Sequence, residues 1–268
     1  MSAGAGTLLG HHWRRHRTAL VMLCLGMALF QGIITRVAPS PEQASFLRNL
    51  LRMAPGPVLQ ALGEQITANL SARGFLAFFY VHPFPLLMLA VWSIRVSAGA
   101  LAREIGQGTM DLIAARPVTR ASQVTAALIA LLAGLALIAA AAWAGTAIGL
   151  LSRPIPEVVA TDYLPAAFQL WLLFAAFGGV GLLISASRKE GGPAIALLAG
   201  LMAVSFALDY LARVWQPIHG LRPLSLFRYY DPQAILRQGL AGADALVLVG
   251  VAVVTALAAY AVFARRDL

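Results

Sequence analysis

The run from Gln123 to Leu151, QVTAALIALLAGLALIAAAAWAGTAIGLL, contains no charged side chain. A helix rises about 1.5 Å per residue, and roughly 20 residues cross the hydrocarbon core of a bilayer. This run is therefore long enough to span a membrane. Five further runs read the same way: Thr18 to Thr35, Phe75 to Ile94 with an extension to Ala102, Leu164 to Ala186, Pro193 to Ala212, and Asp244 to Ala264. The six runs occupy more than half of the 268 residues and leave no stretch long enough for a soluble domain of ordinary size. The composition agrees. Apolar residues make up 60% of the chain and charged residues 12%, whereas soluble domains carry about 25% charged residues. The expected fold is an all-α membrane protein with six transmembrane helices, forming one domain over residues 1–268.

The formal charge of +9 would suggest nucleic acid in a soluble protein. Here the basic residues sit at the ends of the apolar runs. Arg14, Arg15 and Arg17 precede the first and Arg265 and Arg266 follow the last, where they anchor helices at anionic lipid surfaces. The expected contact is membrane lipid, with no nucleic acid. The single cysteine, Cys24, lies inside the first run, so no disulfide forms within the chain. The long first run and the absence of a small-x-small site at Thr35, Arg36 and Val37 favour an uncleaved signal anchor over a secretory signal peptide.

An even number of spans puts both termini on one side, and the terminal arginine clusters make that side the cytoplasm. The first external segment, Val37 to Gly74, opens with Ser40-Pro41-Glu42-Gln43: a capping hydroxyl, a proline at the first helical position and a glutamine three residues after the cap. A helix is expected there, with Phe46, Leu47, Leu50 and Leu51 on one face, lying in the outer interface. Pro55-Gly56-Pro57 ends it, and Val58 to Leu70 forms a second short helix or a loosely structured lid. The second external segment, Val214 to Ala243, holds Trp215, Phe227, Tyr229 and Tyr230, residue types that settle at headgroup level. Pro217, Pro223 and Pro232 exclude one continuous helix and predict short interfacial helices or a shallow re-entrant hairpin.

After the second run comes Arg103-Glu104-Ile105-Gly106-Gln107-Gly108-Thr109-Met110-Asp111-Leu112-Ile113-Ala114-Ala115-Arg116-Pro117-Val118-Thr119-Arg120. As a helix it separates Ile105, Leu112 and Ile113 from Glu104, Gln107 and Asp111, and Pro117 ends it. By pattern alone this is an amphipathic cytoplasmic segment or an ordinary charged loop. At these residues the chain resembles the ABC-2 type permease family, in which a Glu-x-x-x-Gly-Thr-x-x-Leu-x-x-x-x-Pro-x-x-Arg pattern follows the second span; Glu104, Gly108, Thr109, Leu112, Pro117 and Arg120 meet it. A basic amphipathic start, a long first external segment, a proline-containing second span and an Arg-Arg-Asp-Leu stretch at Arg265 to Leu268 extend the resemblance over most of the chain.

The resemblance implies the membrane-spanning subunit of a bacterial ABC exporter in the inner membrane, paired with a second permease copy or a paralogous permease and with two copies of an ATP-binding subunit. It makes Arg103 to Arg120, including Asp111, a first coupling element and Arg188, Lys189 and Glu190 a second, and Leu8 to Arg17 an interface helix. The ATPase is expected on another chain. A phosphate-binding loop requires G-x-x-x-x-G-K-[ST], and the only lysine, Lys189, is followed by Glu190. No cofactor is expected on this chain, with ATP and magnesium on the partner, and no catalytic or metal site.

Within the spans, Arg95 lies near the cytoplasmic end of the second run and is expected to snorkel. Asp209 is placed to pair with Arg213 four residues on. His82, next to Pro83 and Pro85, marks a kink rather than a metal site. Gly178, Gly179 and Gly181 permit close helix approach, within the subunit or across a dimer. Two other readings stay open. A secondary transporter or channel would need midplane ionisable groups or interrupted helices in both halves. A relative of the ABC-2 family that transmits force to an extracytoplasmic partner would use the external segments.

Overall fold

The computed structural model describes residues 3–52, 71–102, 119–156 and 158–266, and every regular element among them is helical. In chain order these are α1 (Ala3–Val37), α2 (Pro41–Arg52), α3 (Ala72–Val81), α4 (Pro83–Ser93), a π-helical turn (Ile94–Ala98), α5 (Arg120–Ser152), a 3₁₀ turn (Ala160–Tyr163), α6 (Leu164–Ser187), α7 (Gly191–Val214), two 3₁₀ stretches (Gln216–Leu224 and Leu226–Tyr229), α8 (Pro232–Gln238) and α9 (Gly242–Ala264). Among the described residues, six segments are long and apolar enough to cross a membrane: Trp13–Val37, Ala72–Ala98, Arg120–Ser152, Ala160–Ser187, Gly191–Val214 and Gly242–Ala264. The stretch Leu8 to Arg17 is continuous with the first of them in one 35-residue helix. No proline interrupts it, and once nucleated a helix extends at little cost per residue. The second helix expected at Val58 to Leu70 lies outside the described residues.

The capping box at Ser40 forms as its sequence predicts. Ser40 Oγ accepts from the Gln43 backbone amide at 3.3 Å, and the Ser40 amide donates to Gln43 Oε1 at 3.0 Å. Phe46 of the helix it starts is exposed.

Small residues set the closest helix contacts. α1 and α5 run parallel and pack most extensively. A Cβ built on Gly145 would lie 2.3 Å from the Ala28 carbonyl oxygen, and one on Gly149 would lie 2.5 Å from Thr35 Cβ. Ala28-x-x-x-Gly32 on one helix thus faces Gly145-x-x-x-Gly149 on the other. This spacing lets backbones meet where lipid removes the hydrophobic drive for association. Gly134 makes room for Trp92, whose indole would stand 2.1 Å from an added Cβ and whose Nε1 donates to the Leu131 carbonyl at 3.2 Å. Gly178 faces Leu131, Gly179 faces Ala252 and Thr255, and Gly181 faces Ser97. All three glycines serve packing inside this subunit.

α6 is the most enclosed span, surrounded by the others. α1 presents Leu25, Leu29 and Ile33 outward at four-residue spacing, and α9 presents Leu246, Val253, Val254 and Leu257. Such continuous apolar faces suit hydrocarbon rather than water.

Candidate functional site

The helix ends sort into two layers. In one lie the start of α1, the exit of the second span, the start of α5, the end of α6 and the end of α9. In the other lie the end of α1, where Arg36 Nε donates to Ser152 Oγ at 3.0 Å, and the Arg73–Asp162 ion pair at 2.9 Å. Arg153 reinforces that second layer by donating to the carbonyls of Arg36 and Ala38.

In the first layer the hydrogen bonds converge on the last residues of α6. The backbone amides of Leu101 and Ala102 both donate to Ser185 Oγ at 3.0 Å. Arg266 Nη1 donates to the carbonyls of Ala186 at 2.9 Å and Arg188 at 2.8 Å, groups that a helix terminus leaves without intrahelical partners. Arg120, the first residue of α5, donates from Nη1 to the carbonyls of Ala264, at 3.2 Å, and Arg266. Residues 101–102 lead into the segment 103–118 and Arg120 follows it, so the entry and the exit of that segment are both fastened. Of the coupling residues expected from sequence, Arg103, Glu104, Gly108, Thr109, Asp111, Leu112 and Pro117 lie outside the described residues. Arg120, Arg188, Lys189 and Glu190 are all exposed in this one layer. Ser185 was not foreseen: one serine in an apolar helix carries no sequence signal. Arg266 was read only as a lipid anchor.

Arg95 lies in the π-helical turn, a local widening often found at functional positions. Its side chain is exposed and its Nε donates to His16 Nδ1 of α1 at 3.0 Å. His16 is buried and meets the Trp92 ring edge-on at 6.1 Å.

Deeper in the bundle the second span is broken. Pro83 and Pro85 have no amide hydrogen, and the Phe84 amide donates to His82 Nδ1 at 3.2 Å rather than along the helix. The Tyr80 carbonyl left by that diversion accepts the Tyr230 hydroxyl at 3.1 Å. His82 stacks on Phe79 at 5.3 Å and lies beside Phe30, which also stacks on Phe84 at 4.5 Å. It is thus a cap within an aromatic cluster, and among the described residues no group of three His, Cys, Asp or Glu is placed to hold a metal ion.

Tyr230 reaches this break because the chain after α7 doubles back along it. His219 Nδ1 meets the Ala212 carbonyl at 3.0 Å, Arg222 pairs with Asp209 at 2.9 Å, and Ser225 Oγ donates to the Ser205 carbonyl at 2.7 Å. Ser205 precedes the end of α7 by nine residues, so the returning chain descends about 14 Å along the span. The prolines that exclude a continuous helix here produce the two 3₁₀ stretches. Of the residues expected at headgroup level, Trp215 is exposed, whereas Phe227 and Tyr230 are buried in the bundle, which corrects their expected placement. Phe227 packs against Phe177 and Phe206 at 5.5 and 5.4 Å. The reversal carries these rings inward, a position that composition alone does not reveal. Asp209 pairs with Arg213 at 2.8 Å as its spacing predicts, and Arg222 completes the cluster from the returning chain.

No curated protein and no solved structure matches the chain. Residues 17–268 match the family described as ABC-2 family transporter protein; with its six membrane-crossing segments, this multi-pass chain is a permease of that family.

Proposed function

We propose that this chain is the membrane subunit of an ABC exporter, moving a substrate out of the cytoplasm on ATP hydrolysis by a separate ATP-binding subunit. The observation that supports this reading best is the shared layer of helix ends. The fastened flanks of segment 103–118 and the exposed loop Arg188-Lys189-Glu190 emerge together, beside the end of α9. That layer faces the cytoplasm, in line with the terminal arginine clusters. Glu104, Gly108, Thr109, Asp111, Leu112 and Pro117 seat the first segment on the ATPase, flanked by Arg103 and Arg120. Two permease copies, or this chain and a paralogue, associate with two ATPase subunits in the inner membrane. Closure of those subunits on ATP and magnesium pushes the segments and shifts the spans between accessible states.

The test is purification of the full-length chain in mild detergent from its host, with mass spectrometry and an ATPase assay on the eluate. The reading expects a soluble partner bearing a phosphate-binding loop and ATP turnover that Glu104→Ala abolishes while membrane insertion is preserved. A chain that purifies alone and transports on an ion gradient would overturn it.

A further inference from the structure

The end of α6 holds more of the first layer together than a helix terminus requires. Within four residues, Ser185 fixes the exit of the second span, and the carbonyls of Ala186 and Arg188 take both hydrogens of one Arg266 nitrogen. The Arg266 carbonyl in turn accepts from Arg120, whose same nitrogen also holds the end of α9 through Ala264. One unbroken chain of charge-assisted hydrogen bonds therefore runs from the start of α5, through residues 264–266, to the loop that opens at Arg188. Each guanidinium donates twice from one nitrogen, so one charged group holds two backbone carbonyls at once. A basic residue serving only as a lipid anchor would direct its head to phosphate rather than into two backbone carbonyls of its own protein.

We propose that Arg266 is a positioning residue that pins the exit of segment 103–118 and the loop at 188–190 into one mechanical unit. A displacement at either is then delivered jointly to α5, α6 and α9. α6 is the most enclosed span and sits at the receiving end of the pin. A push there reaches the bundle through close contacts of Gly178 with Leu131, of Gly179 with Ala252 and Thr255, and of Gly181 with Ser97. The unit itself is defined by the hydrogen bonds of this chain. Its role in ATP-driven motion rests on the permease reading.

Hydrogen exchange of the full-length chain in detergent tests the pin. Arg266→Ala is expected to speed amide exchange about tenfold in both 119–124 and 186–190. Arg120→Ala, which makes no bond to α6, is expected to speed exchange at 186–190 as well. Arg265→Ala removes a neighbouring charge and should leave both regions unchanged. The pin is refuted by an Arg120→Ala protein with unaltered exchange at 186–190, or by an Arg266→Ala protein with unaltered exchange in either region. In the complex with a co-purified ATPase, Arg266→Ala should retain the ATPase subunit and lose about tenfold in turnover. Unchanged turnover with loosened segments would overturn the transmitting role. If wild type recovers no ATPase, the ATP-driven exporter reading fails and the exchange results alone decide the pin.

Discussion

Replacing Gly145 by alanine should separate α1 from α5. The new Cβ would stand 2.3 Å from the Ala28 carbonyl oxygen and 2.9 Å from Ala28 Cα, inside the 3.0 Å that real Cβ contacts essentially never breach. Both obstacles are backbone, so no rotamer change relieves them, and the helices must part by about 1 Å, enough to forfeit a quarter to a half of each contact's attraction. Overpacking of this kind costs about 1 to 3 kcal/mol. The better helix propensity of alanine returns about 0.5 to 1 kcal/mol. Gly250→Ala is the matched control, because nothing lies within 4 Å of its added Cβ. At about 2 to 4 °C per kcal/mol, Gly145→Ala should melt roughly 2 to 12 °C below Gly250→Ala. Cys24 supplies the assay: it is the only thiol, half-buried on α1 one turn before Ala28, and it becomes reactive to a fluorogenic maleimide as the helices part. Melting curves for the two variants that agree within about 1 °C would refute the reasoning.

Ser40→Ala removes the hydroxyl that accepts from the Gln43 amide, leaving only the Ser40 amide bond to Gln43 Oε1, and should cost α2 about 1 kcal/mol, read as helicity lost by a spectroscopic label on that helix. The Ser40 hydroxyl also holds the exposed Glu42 carboxyl below its usual range. Because the folded value is the lower one, this contribution is complete above the ordinary carboxylate range and disappears as pH falls through the depressed value; Ser40→Ala should weaken that acid dependence of α2, leaving the part due to the backbone hydrogen bond. Asp209→Ala leaves Arg213 and Arg222 facing each other and should destabilise the returning 3₁₀ stretch by about 3 kcal/mol, read as protease cleavage near Arg222. Tyr230→Phe deprives the Tyr80 carbonyl of its donor at the break in the second span and should cost about 1 to 3 kcal/mol in thermal unfolding, with Tyr229→Phe, bonded locally to Pro223, as the milder comparison.

By itself the sequence determined the solvent, the number of spans and the local punctuation. Hydrocarbon demands long uncharged runs whose backbone bonds close internally, and a run such as Gln123 to Leu151 declares that requirement without reference to any neighbour. The Ser40 box, the break at His82-Pro83 and the Asp209–Arg213 pair were legible for the same reason: each is an interaction between residues a few positions apart. The motif Gly145-x-x-x-Gly149 was equally available as spacing, but its partner Ala28-x-x-x-Gly32 lies two spans away. Only the tertiary structure decided what meets across distance. It turned the chain after α7 back along its own span, carried Phe227 and Tyr230 inward, and joined Arg120, Ser185, Arg188 and Arg266 at one layer of helix ends. Apolar spans look alike to a hydropathy pattern, because lipid rewards every face of them equally. Which faces meet is set by the shapes of small side chains and by the few buried polar groups that must find partners, and both are properties of pairs of helices rather than of either one.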